Sequence, residues 1–559
     1  MPEGSTLASQ VQIKVNGTAL ESAVTGKMVS VSVDQHVHMP AMFTVRLNDP
    51  GLELMDRGPF DLTKEVEIAA EKEDGTKVTL MKGEITAMEP EYQEGMIAQL
   101  VVRGFDKSHR LYRETKTRAF QEVKDSDLAS QIASSAGLQT QIETTSTVHK
   151  QVFQHNQTDL EFLTERAWRI GFECFVSEGK LYFRKPPNSG SASITLTWGR
   201  DLQTCQTRMS LAEQVDEVQV RGWDPKEKRA IIGSAESGSL YPKIGEQKDG
   251  KTWAQTFGAG KKIITCETIL SQSDADQMAA ARLDEISGAF IEIEGSAFRR
   301  PDIKAGEKVK LEGLGQRMSG EYLVTSANHV ISPEGLKTFF TARGSRAGTL
   351  TERLLNRAPV ERYPGVVVGK VTDVADPEDL NRVKVMFPWM SENADMWARV
   401  MAPGAGPDCG FLSLPDVGDE VLVAFEHGNF NQPYVVGGLW NGQDNIPPDV
   451  MNASMSERPK VRSWTSRTGH KITMYDNSEN KIVIQSQGGL EVSMADQQKT
   501  VTITTTQTTI KLVDRTIEVD ANGNISIESM GNVTIKASGN INIEASAILN
   551  LKGATVNIN

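Results

Sequence analysis

Cysteine is scarce in this chain, with four in 559 residues and no CxxC pair among them. Without paired spacing there is no sign of a structural zinc site or of a disulfide framework. We therefore expect buried thiols in a protein made in a reducing compartment. The four are Cys174, Cys205, Cys266 and Cys409.

Positively charged residues are also outnumbered, because the chain has 60 Lys and Arg but 73 Asp and Glu. Its formal net charge is −13. Nucleic-acid affinity depends on cations that neutralise phosphates, so this balance argues against a nucleic-acid partner. Apolar runs of membrane-spanning length are missing. The N-terminal MPEGSTLASQ has neither the basic nor the apolar region of a secretion signal, so we expect a protein that is made without a Sec signal peptide.

What the chain does contain is period-two alternation of apolar and polar residues, which predicts a mainly β protein with minor α structure. Residues 1–105 and 190–345 are predicted to be two related β-domains. Between them, residues 106–189 are predicted to form an α+β insertion.

Three short helices are predicted within these blocks. Thr158 and Glu161 form a capping-box pattern at the start of the second helix, and Ser273 and Asp274 begin the third. The apolar stripes are Leu128 and Ile132 in the first helix, Leu160, Leu163, Ala167 and Ile170 in the second, and Ala275, Ala279, Leu283 and Ile286 in the third.

The residue pattern changes after a predicted connector at residues 346–362. Residues 363–442 contain the runs VVVGKV, RVKVMF, WARVM, FLSLP and EVLVAFE, separated by Gly and Pro, which predicts a small Greek-key barrel. Residues 443–484 are predicted to be a linker and the beginning of the last domain.

The clearest internal signal is an eight-residue repeat within residues 485–559. GNISIESM, GNVTIKAS and GNINIEAS follow one another from Gly523, and the degenerate AILNLKGA comes next. Each repeat has two aliphatic residues two positions apart, which predicts one short strand with two inward side chains. The eight positions are Ile525, Ile527, Val533, Ile535, Ile541, Ile543, Leu549 and Leu551.

These octads predict a trimer. Ordering eight residues costs roughly 8 to 16 kcal/mol in backbone entropy, whereas burying two β-branched side chains returns only about 3 to 6 kcal/mol. A single-chain solenoid would have too few coils to be stable. Three chains around one axis solve the problem, because the aliphatic residues then meet in the middle.

Two stretches resemble a known family. GVVVGKVTDVADPEDLNRVKVMFPWM and the run from MWARVMAPGAGPDCG to GGLWNG (365–442) closely resemble the OB barrel of the VgrG family and of phage baseplate spike proteins. QHNQTDLEFLTERAWRIGFECFV and GEYLVTSANHV resemble its late-control D, or tail hub, domain. The resemblance implies tandem hub β-barrel domains with short helices, an OB-fold collar and a trimeric triple-stranded β-helix needle.

The same resemblance implies a structural function. A homotrimer would join a hexameric inner tube protein to a sharpened PAAR-type tip that punctures the target envelope, with baseplate proteins as further partners and effector cargo left open. The short linker between Asn441 and Val461 leaves no room for an inserted lysozyme domain, so we expect no enzymatic activity. The compact form is most similar to the spike of an extracellular contractile injection system, released or fired outward.

The final strand departs from the octad phase. Val556 and Ile558 lie one place before the positions that would continue the repeat. A trimer ending here would expose unpaired strand edges, which a cap protein would cover. Given the cap that the family resemblance implies, we expect tip binding by β-augmentation through Thr555, Val556, Asn557, Ile558 and Asn559.

No catalytic, cofactor-binding or metal-binding residue is predicted. GVVVGK lacks the Walker A spacing and is treated as a strand, and GAGPDCG lacks the GxGxxG spacing and is treated as a Gly/Pro-rich collar loop. His36 and His38 flank Val37 without a third ligand nearby, which favours exposed strand histidines over a metal pair.

Two further functions share features with this sequence. Aromatic and basic residues interleave in the barrel as in single-strand nucleic-acid binders, although the acidic composition argues against that reading. The alternative function is a phage-tailspike-like trimeric β-helix that binds or cleaves glycans; the lack of aromatic residues from 485 to 559 favours the needle. The barrel residues are Phe387, Trp389 and Trp397 with Arg382, Lys384 and Arg399.

Overall fold

The computed structural model describes residues 11–343, 365–388 and 395–558, apart from Met96, Ser189, Pro225, Tyr241, 266–268 and Leu270. The predicted connector at 346–362, Cys266, Trp389 and Asn559 therefore lie outside the described residues. The chain divides into two compact units, Met1–Leu439 and Trp440–Asn559.

The first block consists of antiparallel strands whose alternate residues are buried, as period two predicts. Its elements are β1 Val11–Val15, β2 Thr18–Ala19, α1 Ser22–Thr25, β3 Met28–His36, β4 Met39–Asn48, α2 Glu53–Arg57, β5 Glu65–Glu71, β6 Lys77–Gln93 and β7 Ile97–Asp106.

The insertion surrounds two amphipathic helices with short strands. The predicted capping box is confirmed, because Glu161 N donates to Thr158 Oγ1 (3.2 Å) and Thr158 N donates to Glu161 Oε2 (2.9 Å). The elements are a 3₁₀ turn Lys107–Tyr112, β8 Thr115–Val123, α3 Asp125–Ser135, β9 Gln139–Ile142, β10 His149–Thr158, α4 Asp159–Arg169, β11 Glu173–Ser177 and β12 Lys180–Arg184.

The second block repeats the strand-rich pattern around one long helix. That helix is capped by Ser271, whose side chain accepts from Asp274 N, so it begins just before the predicted position. The elements are β13 Ile194–Thr197, β14 Leu202–Met209, β15 Glu217–Asp224, β16 Arg229–Ala235, β17 Lys243–Ile244, α5 Gly250–Ala254, a 3₁₀ turn Gln255–Phe257, β18 Lys261–Ile264, α6 Gln272–Gly288, β19 Ile291–Phe298, β20 Lys308–Glu312, α7 Gly315–Met318, β21 Gly320–Ser332 and β22 Gly335–Ala342.

The two blocks share one 14-stranded sheet. Strand β21 of the second block pairs antiparallel with β3 of the first, with Ala327 opposite Gln35. Ile331 and Leu336 accordingly belong to the hydrophobic core of the first block. The order along the sheet is β14-β19-β22-β21-β3-β4-β7-β6-β5-β1-β2, and the predicted domain boundaries within it stay predictions.

Residues 365–439 contain a closed five-stranded barrel in the order β23-β24-β25-β29-β28. The predicted strand FLSLP is wrong: residues 411–415 have no strand conformation and are largely exposed, and PYVVGG supplies the fifth strand instead. The elements are β23 Val366–Asp373, β24 Arg382–Met386, β25 Met396–Val400, β26 Ala405–Gly406, β27 Cys409–Gly410, β28 Glu420–Phe425, a 3₁₀ turn Glu426–Gly428 and β29 Pro433–Gly438.

The second unit begins with α8 Pro448–Met451 and a 3₁₀ turn Arg458–Lys460 and continues as a seven-stranded antiparallel meander. Beyond the meander, residues 524–558 follow an extended course that bends every eight residues, at 530, 538, 546 and 554. The strands are β30 Val461–Thr465, β31 Lys471–Tyr475, β32 Lys481–Gln485, β33 Glu491–Ala495, β34 Thr500–Thr504, β35 Thr508–Val513 and β36 Thr516–Ala521.

The mainly β fold with minor α structure is confirmed, whereas the expectation of buried cysteines is only partly correct. Cys174 is buried, Cys205 is half-buried and Cys409 is exposed. Cys409 is exposed because it lies in a hairpin outside the barrel. Within the described ranges, no helix is both long and apolar enough to cross a membrane.

Candidate functional site

The barrel has a well-packed interior and a rigid loop. Val371, Val383, Val385 and Val421 are almost fully buried in its core. The loop between β23 and β24 closes on Asp376. Its carboxylate accepts hydrogen bonds from the backbone N–H groups of Glu378, Leu380 and Arg382 and from the Arg382 guanidinium (2.7 Å from Nη2 to Oδ1), and these donors lower its pKa.

A ribbon of the insertion is packed against this barrel. Strands β8 and β10 pair with each other, and Phe153 of β10 lies in the same hydrophobic core as the barrel residues. The ring of His155 lies 3.9 Å from that of Phe430. Gln151 Nε2 donates to the carbonyl of Asp395, and Lys150 forms an ion pair with Glu378. We call this contact the ribbon joint.

The aromatic and basic residues of the barrel have structural partners rather than a shared open surface. Phe387 is buried, and Trp397 is half-buried beneath the Arg382 guanidinium. Lys384 Nζ lies 2.8 Å from Asp395 Oδ2, and the Arg399 guanidinium covers the ring of Tyr434.

His36 and His38 do not form a pair of exposed strand histidines, so that interpretation is wrong. His38 is in the turn after β3, where its Nδ1 accepts from the Cys174 N–H (3.3 Å) and its ring meets the edge of Trp168. His36 is half-buried. In the described part of the chain, no group of three or more His, Cys, Asp or Glu side chains is arranged to hold a metal ion.

A buried carboxyl marks the seam between the insertion and the second block. Glu173 is fully buried, with its Oε2 3.7 Å from Arg184 Nε, and burial raises its pKa to about 8. Arg184 Nη2 donates to the carbonyl of Gly306 (2.8 Å). Gly306 has φ +81° and a Cβ there would lie 2.8 Å from the Phe175 ring, so the seam requires glycine.

In the second unit, one face of the seven-stranded meander is largely apolar, and its residues are exposed or half-buried. The register aligns two residues from every strand on this face, and Ile517 at its end is 72% exposed. The first row is Arg462, Met474, Ile482, Met494, Val501, Leu512 and Ile517; the second is Trp464, Ile472, Ile484, Val492, Ile503, Ile510 and Val519.

The octad residues predicted to form a trimer core are also exposed in the single chain. Their exposed fractions range from 50% at Ile541 to 74% at Ile527. Across residues 523–558, all described, no strand ladder and no backbone–backbone hydrogen bond is formed. Both the aliphatic side chains and the peptide groups are therefore available to other chains.

In residues 554–558 the backbone keeps its eight-residue period, but the aliphatic side chains are shifted by one position. The bend at Ala554 falls eight residues after the bend at 546, whereas Val556 and Ile558 come one residue earlier in the repeat than the preceding pairs. In extended backbone a one-residue shift turns side chains to the opposite side. Val556 and Ile558 are exposed, and Thr555 and Asn557 alternate with them.

Sequence reasoning missed the first four strands of the meander. These strands begin at Val461, Lys471, Lys481 and Glu491, which is one strand every ten residues. The signal is in the sequence, since aliphatic or Met pairs two residues apart recur with the same period at Ile472 and Met474 and in the next two strands.

Two family models match the chain. One, described as the Alg8 N-terminal domain, matches residues 5–333, which is more than half of the chain. The other, the type VI secretion system/phage-baseplate injector OB domain, matches residues 367–440, the barrel described above. The chain belongs to the Alg8 N-terminal domain family and to the VgrG and phage-baseplate hub family.

VgrG proteins are among its relatives. The type VI secretion system spike protein VgrG1a of Pseudomonas aeruginosa is 29% identical over 215 residues, covering 35% of this chain and 33% of that protein. A Vibrio cholerae relative named actin cross-linking toxin VgrG1 is 29% identical over 195 residues, covering 30% of this chain and 18% of that protein. The aligned regions thus span a third or less of these relatives.

Similarity to a solved structure extends over most of the chain. The solved structure of a Francisella PdpA-VgrG complex, in a half-lidded form, aligns with 91% of this chain and 87% of the solved chain at a TM-score of 0.51. The sequence identity is 8%, so the likeness concerns the fold alone.

Proposed function

We propose that this chain is the structural trimeric spike and hub of a contractile injection machine. One observation supports this most strongly: the second unit leaves two largely apolar rows of the meander exposed or half-buried, and then exposes eight aliphatic octad residues on backbone without a ladder. A soluble chain does not leave so long an apolar face uncovered. Three copies around one axis bury it and give each peptide group a neighbour.

The proposal extends to partners that the VgrG resemblance implies. The shared 14-stranded sheet would dock on a hexameric inner tube protein, and the end of the octads would bind a PAAR-type tip. The machine would be of the extracellular contractile injection type, assembled in the cytoplasm and released or fired outward. The target membrane would be met only by puncture.

The proposed role is mechanical rather than enzymatic. The name of the Vibrio cholerae relative refers to actin cross-linking by that protein. The match with this chain covers only 18% of the relative's length, so we do not extend that activity to this chain. Residues 440–460, between the barrel and β30, contain α8 and a 3₁₀ turn, with Asp449 bonded to Lys471 and Thr473 of the meander. This short segment supports the absence of an inserted hydrolase.

Light scattering of the purified chain tests the trimer. The expected mass is three times the 61.3 kDa of one chain, and it should not change between low and high micromolar concentrations. A monomer mass across that range would refute the proposal. Electron microscopy of assembled particles should then place the chain at the pointed end of the tube.

A parallel assay tests the non-enzymatic role. Clean protein should release no soluble fragments from peptidoglycan or bacterial polysaccharide. Turnover that disappears on a single acidic substitution would favour the tailspike-like alternative instead.

A further inference from the structure

An arm leaves the collar barrel between β25 and β28. Residues 401–418 form this collar arm, in which β26 and β27 pair only with each other. The turn between them passes through Asp408, which has a φ of 54°. Among the described residues of the arm, Leu414 is the one that packs against the barrel core.

The collar arm is apolar and exposed. Met401, Leu412 and Val417 are exposed by 61%, 68% and 60% respectively. An isolated two-stranded hairpin is at best marginally stable in water, because it buries too little apolar surface to offset its ordering. The arm therefore needs a surface to pack on.

The outer wall of the same barrel offers such a surface. Val366 and Val368 of β23 are 51% and 41% exposed. Their partners in the neighbouring strand β28 are Ala424, opposite Val366, and Leu422, opposite Val368. The residues between them, such as Val367, point into the core and are buried. We call these four outward residues, Val366, Val368, Leu422 and Ala424, the barrel patch.

We propose that the collar arm of each chain packs over the barrel patch of a neighbouring copy. The inference rests on the proposed trimer, in which three copies of the barrel belong to one assembly. Met401, Leu412 and Val417 of the arm are exposed within one chain, and so are Val366 and Val368 of the patch, so the arm leaves these two valines of its own barrel uncovered. Each copy contributes one arm and accepts one, a head-to-tail contact that closes into a ring under threefold symmetry.

Charge and composition fit a second copy better than a foreign ligand. The most exposed residues of the arm, Met401, Leu412 and Val417, and the four residues of the barrel patch all carry uncharged apolar side chains. Contact between two such surfaces is driven by removal of apolar area from water and needs no specific polar partner. A ring of three contacts would also align the chains before the octads assemble.

Interchain crosslinking of the full-length protein tests the proposal. In a Cys409→Ser background, Leu412→Cys is combined with Val368→Cys, and a short bis-maleimide is added. We expect covalent dimers and trimers on a denaturing gel. The matched control combines Leu412→Cys with Arg399→Cys, an exposed position on β25, the strand of the barrel that does not border β23 or β28. Leu412→Cys alone measures the background from the native cysteines.

The outcomes separate this proposal from the proposed function. A trimer by light scattering in which Leu412→Cys/Val368→Cys crosslinks no more than the control overturns the arm contact alone. Crosslinks only within one chain, or only to a copurified foreign protein, overturn it as well. A monomer by light scattering refutes the proposed function.

Leu412→Asp in an otherwise native chain should keep the trimer and raise amide exchange in residues 404–412 at least several-fold.

Discussion

At the residue scale, the most unusual group is Glu173. It lies at the end of a strand pair, directly opposite Arg184, and has no exposed surface. The Arg184 guanidinium also lies over the rings of Phe175 and Tyr182, and it donates a hydrogen bond to the carbonyl of Gly306. Because its guanidinium is shared in this way, it only partly offsets the desolvation that raises the pKa of Glu173 to about 8.

This raised pKa predicts a pH-dependent stability. Below the unfolded-state pKa of about 4.5, Glu173 is protonated in both the folded and the unfolded state, so its ionisation does not lower the free energy of unfolding. Between that pH and about 8 the unfolded chain releases a proton that the folded chain keeps, so stability falls as pH rises. Glu173→Gln should remove this loss and raise the free energy of unfolding of the first unit by ~1–3 kcal/mol at pH 8.

Thermal unfolding at pH 5, 6.5 and 8 provides the measurement. The gain of the Gln variant over the parent should grow with pH. The matched control is Glu178→Gln, which removes a more exposed carboxylate from the turn of the same hairpin, paired with Lys304. A Glu173→Gln variant whose Tm follows the parent at every pH would show that the carboxyl is not protonated in the folded protein.

At the element scale, the ribbon joint connects the insertion to the collar through packing. Phe153→Asp places a carboxylate in the core shared by both and should cost ~3–5 kcal/mol at the joint. Hydrogen exchange should then increase in β10 and in the barrel residues around Phe430. Gln121→Asp, an exposed position on the partner strand of the ribbon, is the matched control and should leave exchange unchanged.

The contrary result would be equally informative. If Phe153→Asp changes exchange in β8 and β10 but leaves the barrel at parental rates, the joint stabilises the ribbon without holding the collar. The ion pair of Lys150 and Glu378 would then contribute little, as is usual for exposed pairs.

The octads provide the second prediction at this scale. Ile535→Asp would bring three carboxylates together on an apolar axis, each with a desolvation cost of several kcal/mol. We expect loss of the trimer or a large fall in its melting temperature. Thr534→Asp, one residue away and on the opposite side of an extended strand, should be tolerated. Equal tolerance of both variants would show that Ile535 faces outward.

At the scale of the whole molecule, the end of the chain is proposed to bind the tip protein. Replacing Val556 and Ile558 together by Asp should abolish copurification of a PAAR-type tip, because β-augmentation there would bury both side chains. The trimer should survive, since the octad aliphatics lie before this segment. Replacing Thr555 and Asn557 by Asp is the matched control.

Deletion of residues 555–559 completes that test. Tip binding that persists after the deletion would place the docking site elsewhere. A trimer that dissociates after the deletion would show that the segment belongs to the trimer core.

The sequence by itself determined those elements of this protein that depend on neighbouring residues. Alternation at Val11, Ile13 and Val15, the capping box at Thr158 and the octad spacing all act over a few neighbouring residues, and each is found in the structure. These features are local, so that a pattern of side chains is enough to specify them. The trimer core and the tip-binding residues followed from the same patterns and stay predictions.

Only the tertiary structure decided which elements pair. The joining of two blocks through β21 and β3, and the choice of PYVVGG over FLSLP as a barrel strand, depend on partners distant in sequence. The burial of His38 beneath Trp168 and the isolation of Glu173 have the same origin. Such contacts depend on the shape of the surfaces that meet, and one chain segment does not contain that information.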